Sequence, residues 1–299
     1  MIPDAVEEAA RLIRAGELVA FPTETVYGLG SNALDAAAVE RIFALKGRPS
    51  TSPLIVHVDS IDMARALALE WPDSAERLAC RYWPGPLTLV VRKRDAIPDI
   101  VTAGLPSVGL RVPAHPLALA LIRVSGVPIA APSANRFTQL SPTTAEHVRR
   151  ALGDRVLVLD GGPTSVGIES TVLSLAGAEP ELLRPGMISV PELEAVVGPV
   201  RITAAPAHGS HASPGMHARH YRPRTPLLLV HPGSPPPEGH GAWLRPGHEL
   251  PADPHAYAAL LYDTLHRLDS QGLDWIAVEP PPDTPEWAGV RDRLARAAG

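Results

Sequence analysis

The sequence predicts an α/β fold in two unequal parts, and three observations carry that reading. Short β-branched apolar runs alternate with stretches of helical periodicity from about residue 5 to about residue 200. Two of those runs end in a proline followed by small polar side chains, which is how a strand gives way to a loop, because proline has no N–H to donate to a ladder. From about Ile202 the apolar periodicity stops, and a compact strand, helix, strand, helix pattern resumes after it. The expected division is a large unit over 1–202, a linker over 203–226 and a small Rossmann-like α/β unit over 227–299.

Taken in order, Asp4 and Glu7 form a possible capping arrangement for a first helix, with Val6, Ala9, Ala10 and Ile13 on one face and Gly16 as its stop. Leu18–Phe21 then reads as a buried strand ended by Pro22. The loop after it, TETVYGLG, carries Thr23, Glu24 and Thr25 where open α/β sheets bind ligands. Gly28 and Gly30 are expected to admit a ligand to the backbone or to adopt positive φ. Asp35 caps a second helix running to about Lys46, whose charge suits the negative end of the helix dipole.

Strand-like runs follow at 54–58, holding His57, at 87–91, and at 107–113, holding Arg111, with helical patterns at 61–70 and 74–82. PIAAPSAN at 128–135 repeats the first design, an apolar run broken by proline and followed by Ser133 and Asn135. Ser141 reads as the N-cap of a helix to about Leu152, with Pro142 at its first position. Two apolar strands at 156–175 flank GGPTSVGIEST, and LLRPG brings Arg184 out of another apolar run. In the small unit, LLLV, a helix capped by Asp253, DWIAVE and a final helix toward Ala298 complete the chain.

With 299 residues, 45% hydrophobic and only 4% aromatic, the core must be built mainly from Leu, Val, Ile and Ala. A net charge of −5 argues against a broad nucleic-acid footprint, so no stable direct binding of nucleic acid is expected. Cys80 is the sole cysteine, which excludes an internal disulfide and a cysteine-rich zinc site and fits a reducing cytoplasm. The N-terminal stretch is acidic and lacks an apolar core, unlike a secretory signal. No apolar run approaches the roughly 20 residues that span a bilayer, so a soluble protein is expected. Of 27 basic residues only Lys46 and Lys93 are lysines, which singles out Lys46 in an arginine-rich chain.

The residues singled out as chemistry-bearing are Thr23, Thr25, Lys46, Arg48, His57, Arg111, Ser133, Asn135, Ser141, Ser170, Thr171 and Arg184. Cations and small hydroxyls of this kind suit phosphates and a carboxylate: arginine forks engage planar oxyanions, lysine acts as a point charge, and short side chains let backbone approach. There is no GxxxxGK[ST], no GxGxxG after a strand, and no nucleophile elbow around Ser133. His208, His211, His217 and His220 have a spacing that could ligate a metal, but the glycine- and proline-rich segment offers nothing to orient the rings, and no metal site made by side chains is expected.

In these motifs the chain resembles the YrdC-like family of L-threonylcarbamoyladenylate synthases in its two-domain form. The matching pieces are PTETVYGLG, KGRPSTSPLIVHV, WPGPLTLVV, VGLRVP, APSAN, GIESTVL and LLRPG, in that order over residues 5–200, with PGMHARHYRPRTP like the family's linker and LLYDTLHRLDSQGLDWIAVEPPP like its smaller domain. The resemblance implies a twisted, open, mixed sheet with helices. It also implies a reaction in which ATP, L-threonine and bicarbonate give threonylcarbamoyl-AMP and pyrophosphate, with Mg²⁺ accompanying ATP. A separate downstream transferase would use the product to modify tRNA.

By the same resemblance Lys46, Arg48, Ser133 and Asn135 fall on the KxR and SxN signature of the catalytic centre. Thr25, His57, Arg111, Ala131 and Ser170 or Thr171 fall on threonine-associated positions. Arg48, Ser52, Ser107, Ser133, Ser141, Arg184 and Tyr221 fall on nucleotide-associated positions, with Tyr221 closing the linker over the site. Ser52 stands where asparagine is more usual and Ser107 where threonine is, and the C-terminal unit is shorter than in most two-domain members. Two rivals share the fold, an RNA-binding module without synthase activity and a carbamoyl-transferring enzyme. The paired KxR and SxN motifs and the linker weigh against the first, and the absence of much larger attached domains against the second.

Overall fold

The computed structural model describes residues 4–202, 221–235 and 237–298. In chain order the large unit comprises α1 (Asp4–Arg14), β1 (Val19–Phe21), β2 (Gly28–Asn32), α2 (Ala36–Lys46), β3 (Ile55–His57), α3 (Ile61–Leu67), α4 (Asp73–Tyr82), β4 (Leu87–Arg92) and α5 (Asp99–Thr102). It continues with β5 (Ser107–Arg111), α6 (Pro116–Ser125), β6 (Ile129–Ala130), α7 (Ala145–Leu152), β7 (Leu157–Val158), β8 (Thr171–Ser174), β9 (Glu181–Arg184), α8 (Val190–Val197) and β10 (Arg201–Ile202). The C-terminal unit comprises β11 (Leu227–Leu229), β12 (Gly241–Leu244), α9 (Pro254–Asp269), β13 (Trp275–Val278) and α10 (Ala288–Ala298).

Ten strands form one sheet in the order β10-β9-β8-β4-β5-β3-β6-β2-β1-β7. Neighbours are parallel in some pairs, such as β3 with β5 and β4 with β8, and antiparallel in others, such as β4 with β5 and β2 with β6. The sheet is therefore mixed, as the resemblance implied. The small sheet, β11-β13-β12, is parallel throughout and packs with α9 and α10.

Local chemistry explains the elements. Asp35 accepts from the Ala37 and Ala38 N–H groups at the start of α2, a cap worth about 1 kcal/mol, and Gly47 ends the helix in the left-handed region. Asp253 caps α9 through the Ala256 N–H. The apolar side of α1, Val6, Ala9, Ala10 and Ile13, is buried as its spacing required.

Two local expectations are corrected. Gly28 and Gly30 do not sit in a loop with positive φ; they form β2, antiparallel to β1. A Cβ on Gly30 would lie 2.7 Å from both the Ile129 and Phe21 side chains, so glycine is required there for close packing, with Phe21 filling the space a side chain would take. Ser141 is not a helix cap either. The cap of α7 is Thr144, whose hydroxyl accepts from the His147 N–H, while the Pro142 carbonyl accepts from the Tyr27 N–H and the Thr143 carbonyl from the Thr164 N–H.

The two faces of the large sheet are covered differently, and this positions the site. Strand residues such as Val56, Leu89, Leu110 and Leu173 join a core with α2, α4 and α8. On the other face Val19, Phe21, Ile129 and Ala131 pack against α1 and α6. Val26, Leu140, Ile168, Met187 and Tyr221 belong instead to a core shared with β11, β13, α9 and α10. No described helix is long and apolar enough to cross a membrane.

Candidate active site

One cavity is lined by Thr23, Thr25, Gly28, Arg48, His57, Arg111, Ala131, Ser133, Glu169, Ser170, Arg184 and Tyr221, together with Val26, Ile55 and Pro132. Because the sheet is mixed, these residues come from both starts and ends of strands. Ile55 and His57, two apart on β3, project from one face, and His57 stands in register with Arg111 on β5. Ser133 bridges to Gly28 at the start of β2, while Ser170 immediately precedes β8 and Arg184 ends β9 opposite Val172.

Arg111 is held from three sides. Its Nε donates to the Gly85 carbonyl at 3.2 Å, its Nη1 to Thr25 Oγ1 at 3.0 Å, and its Nη2 lies 2.7 Å from Glu24. Thr25 is in turn fixed by Thr23, hydroxyl to hydroxyl at 2.8 Å. A guanidinium has five N–H groups, so this fork is both aimed and left with hydrogens for a carboxylate. Beside it His57 is pushed down to about 3, by burial first and then by the Arg111 charge. The ring is neutral at pH 7, and its Nδ1 has no hydrogen-bond partner among the described residues.

Two further arginines, Arg48 and Arg184, line the cavity. Burial lowers Arg48 to about 10, with Tyr221 opposing and Arg184 adding to the fall. Arg48 Nη2 donates to the Ser52 hydroxyl and, at 3.1 Å, to the Pro53 carbonyl. Arg184 donates through Nε and Nη2 to the Ser170 carbonyl at 3.1 and 3.0 Å, and through Nη2 to the Ser170 hydroxyl at 3.1 Å. Ser170 Oγ also meets Thr88 Oγ1 at 2.8 Å. Thr171 points elsewhere, its hydroxyl donating to the Ile188 carbonyl at 3.0 Å, so of the two adjacent hydroxyls Ser170 faces the cavity.

Several expected site residues stand behind the wall. Lys46 Nζ donates to the Ser133 carbonyl at 2.6 Å and to the Asn135 carbonyl, while the Ser133 hydroxyl donates to Asn135 Oδ1. Burial, then the Arg48 charge, hold Lys46 well below its ordinary value. Lys46 and Asn135 therefore brace the loop that presents Ser133, and Lys46 is not a wall charge as the arginines are. Ser52 orients Arg48. Ser107 is apart: it opens β5, opposite Arg92, four extended residues or roughly 13 Å from Arg111, and borders a separate recess.

Ser141 leads to residues that the sequence reading did not single out. Its hydroxyl donates to Glu169, which also accepts from Tyr262 at 3.2 Å and from Arg293 Nε at 2.6 Å. Burial favours the neutral carboxyl, but Arg293, then Arg184 and the Ser141 hydroxyl outweigh it and keep Glu169 below its usual range. Tyr262 and Arg293 belong to α9 and α10, so the C-terminal unit reaches the cavity wall. His208, His211, His217 and His220 lie outside the described residues, as does the linker up to 220.

Arginines from distant parts of the chain and small hydroxyls thus converge on one cavity of an α/β fold, a set of side chains suited to oxyanions. Comparison with known proteins narrows the class. Residues 11–186 match the Sua5/YciO/YrdC family model, described as telomere recombination, and residues 188–299 match the C-terminal domain model of threonylcarbamoyl-AMP synthase. The threonylcarbamoyl-AMP synthase of Bacillus subtilis is 44% identical over 98% of this chain and 93% of its own length. That of Pyrococcus abyssi is 50% identical over 74% of this chain and 66% of its own. A solved structure of P. abyssi Sua5 complexed with L-threonine superposes with a TM-score of 0.92 at 40% identity, covering 98% of this chain and 94% of that one. The chain belongs to the threonylcarbamoyl-AMP synthase family, in its two-domain Sua5 form.

Proposed function

We propose that this chain condenses L-threonine, bicarbonate and ATP into threonylcarbamoyl-AMP and pyrophosphate, supplying a downstream transferase that modifies tRNA. The observation that carries the reading is that Arg111, Thr25 and His57 line one cavity together with Arg48, Arg184 and Ser133.

In this reading threonine's carboxylate takes the remaining hydrogens of Arg111, and its hydroxyl or amine lies near neutral His57, Ser170 and the small Ala131. Bicarbonate takes up a proton and gives CO₂ and water; the neutral amine nitrogen then bonds to the carbon of CO₂ and releases a proton to solvent, giving a carbamate. A carbamate oxygen then bonds to the α-phosphorus as the bond from that phosphorus to the bridging oxygen breaks, and pyrophosphate leaves with the electron pair. No protein nucleophile is required, so catalysis is positioning and charge neutralisation. Arg48 and Arg184 offset the phosphate charge, and Tyr221, 1% exposed, shields the labile mixed anhydride from water.

Magnesium would arrive on the triphosphate. The two carboxylates at the cavity, Glu24 and Glu169, are already paired with Arg111 and Arg293, and among the described residues no group of three or more His, Cys, Asp or Glu is placed to hold a metal. The donor set thus fits phosphate and not a bare cation. We place the catalytic unit at 1–202, a linker that closes over the site at 203–226 and the small unit at 227–299, in a cytoplasmic protein that does not bind nucleic acid stably.

The test is pyrophosphate release by the purified chain with each of ATP, threonine, bicarbonate and Mg²⁺ omitted in turn. Release is expected only with all four, and equal release without threonine would overturn the assignment.

A further inference from the structure

We propose that Arg293, from the last helix of the C-terminal domain, is a positioning residue for the nucleotide: it neutralises Glu169 and fixes the backbone on either side of the phosphate-facing wall. The inference rests on reading the cavity as an ATP site.

The Arg293 side chain is fully buried. Its Nε donates to Glu169 Oε2 at 2.6 Å and its Nη2 to the Glu169 carbonyl at 3.3 Å, while Nη1 donates to the Pro185 carbonyl at 3.1 Å. Glu169 directly precedes Ser170, and Pro185 directly follows Arg184. One guanidinium therefore grips the chain at the immediate neighbours of two cavity residues. It also lies over the Tyr221 ring, 5.2 Å from the centroid. The helix that carries it packs closely on this wall: a Cβ on Gly289 would come within 2.6 Å of the Gly186 carbonyl oxygen, so glycine is required there.

Charge makes the contact matter for ligand binding. Glu169 lines the same cavity as Arg48 and Arg184. A carboxylate there opposes a triphosphate unless a cation compensates it, and Arg293 is the cation bonded to it, itself held by Asp292 at 2.6 Å. The Ser141 and Tyr262 hydroxyls orient Glu169 but bring no charge. Without Arg293, the buried Glu169 carboxylate would keep only the Arg184 charge, for which it would compete with the phosphates, the costly half of a broken buried pair. The domain's contribution is thus electrostatic as well as steric, supplied from 124 residues away in sequence.

The experiment measures equilibrium binding of ATP and, separately, of threonine to the full chain and to Arg293→Gln, Glu169→Gln and the double variant. Arg293→Gln is expected to weaken ATP at least tenfold, about 1.4 kcal/mol. Threonine, which carries no net charge, should change less than about threefold. The double variant, with the lone carboxylate gone, should recover most of the ATP affinity. Arg293→Gln binding ATP as the unaltered chain does, or a folded double variant still weakened tenfold, would overturn the proposal; the double variant decides the matter even where Arg293→Gln fails to fold. Absence of ATP binding by the unaltered chain would overturn the functional reading as well, and is distinguishable from either result.

Discussion

Acidification should loosen the seam between the two domains through a pair of stacked histidines. His147 on α7 and His266 on α9 lie face to face, ring centroids 3.9 Å apart and planes inclined by 21°. His266 Nε2 donates to the Ser141 carbonyl at 3.1 Å, and His147 Nδ1 accepts from the Thr143 N–H at 3.3 Å. Burial, then the charge of Arg150, lower His147 to about 4, and burial, then His147, lower His266 to about 4. Both rings are thus neutral in the folded protein, whereas in the unfolded chain they take up protons below about pH 6.5. Their contribution is present above 6.5 and lost as pH falls toward 4, because the unfolded state binds more protons across that window. At pH 5 the ideal penalty is about 2 kcal/mol per ring, at about 1.4 kcal/mol per pH unit. The rings border an open recess that also holds Arg136, Arg222 and Arg224, and Asp263 and Asp269 stand nearby. Water there screens part of the charge, so about 2 kcal/mol for the pair is the working figure. Urea unfolding at pH 7.5 and 5.0, compared between the unaltered chain and His147→Gln/His266→Gln, isolates the pair, since His57 is common to both. The unaltered chain should lose about 2 kcal/mol more than the double variant over this range. Parallel losses would refute the reasoning.

Two further substitutions separate roles within the site. Arg111→Ala should weaken threonine at least about tenfold, the scale of one charge-assisted hydrogen bond, while leaving ATP affinity within about twofold; equal loss of both, measured by calorimetry, would remove the carboxylate clamp. Lys46→Met should destabilise the fold by about 2–4 kcal/mol by leaving the Ser133 and Asn135 carbonyls without their donor, and should lower kcat with it. A variant with unchanged thermal midpoint but lost ATP binding would instead make Lys46 a direct phosphate ligand.

Much of the cavity was legible because its residues sit where the chain changes character. Thr25 and Ser133 follow prolines that end apolar runs, Arg111 interrupts a β-branched run, and Arg184 leaves one, so each is out of place by local rules and needs a partner. The capping residues Asp35 and Asp253 were readable for the same reason, since an isolated acid before a helical pattern has one common use. What failed was the inference from type to orientation. A glycine in this run is consistent with close approach to a ligand or with a strand too crowded for side chains; Gly28 lines the cavity, whereas Gly30 is fixed by the positions of Phe21 and Ile129. Lys46 was expected to face phosphate, but its direction depends on where residues 133–135 fold back, which no local pattern encodes.

Glu169, Tyr262 and Arg293 were missed for a deeper reason. On α10, Arg293 is one arginine among three in an amphipathic pattern, and nothing about its spacing distinguishes a fully buried guanidinium from the partly exposed ones at Arg291 and Arg296, which meet acids of their own. Its burial becomes affordable only because a carboxylate arrives from the loop before β8 and carbonyls from Glu169 and Pro185. The same long-range pairing that hides the residue from sequence reading makes it informative in the fold. A buried arginine bonded across the seam to Glu169 and Pro185, and on its own helix to Asp292, ties the charge balance of a phosphate-facing wall to the docking of the two domains, so weakening the seam should lower nucleotide affinity before it lowers threonine affinity.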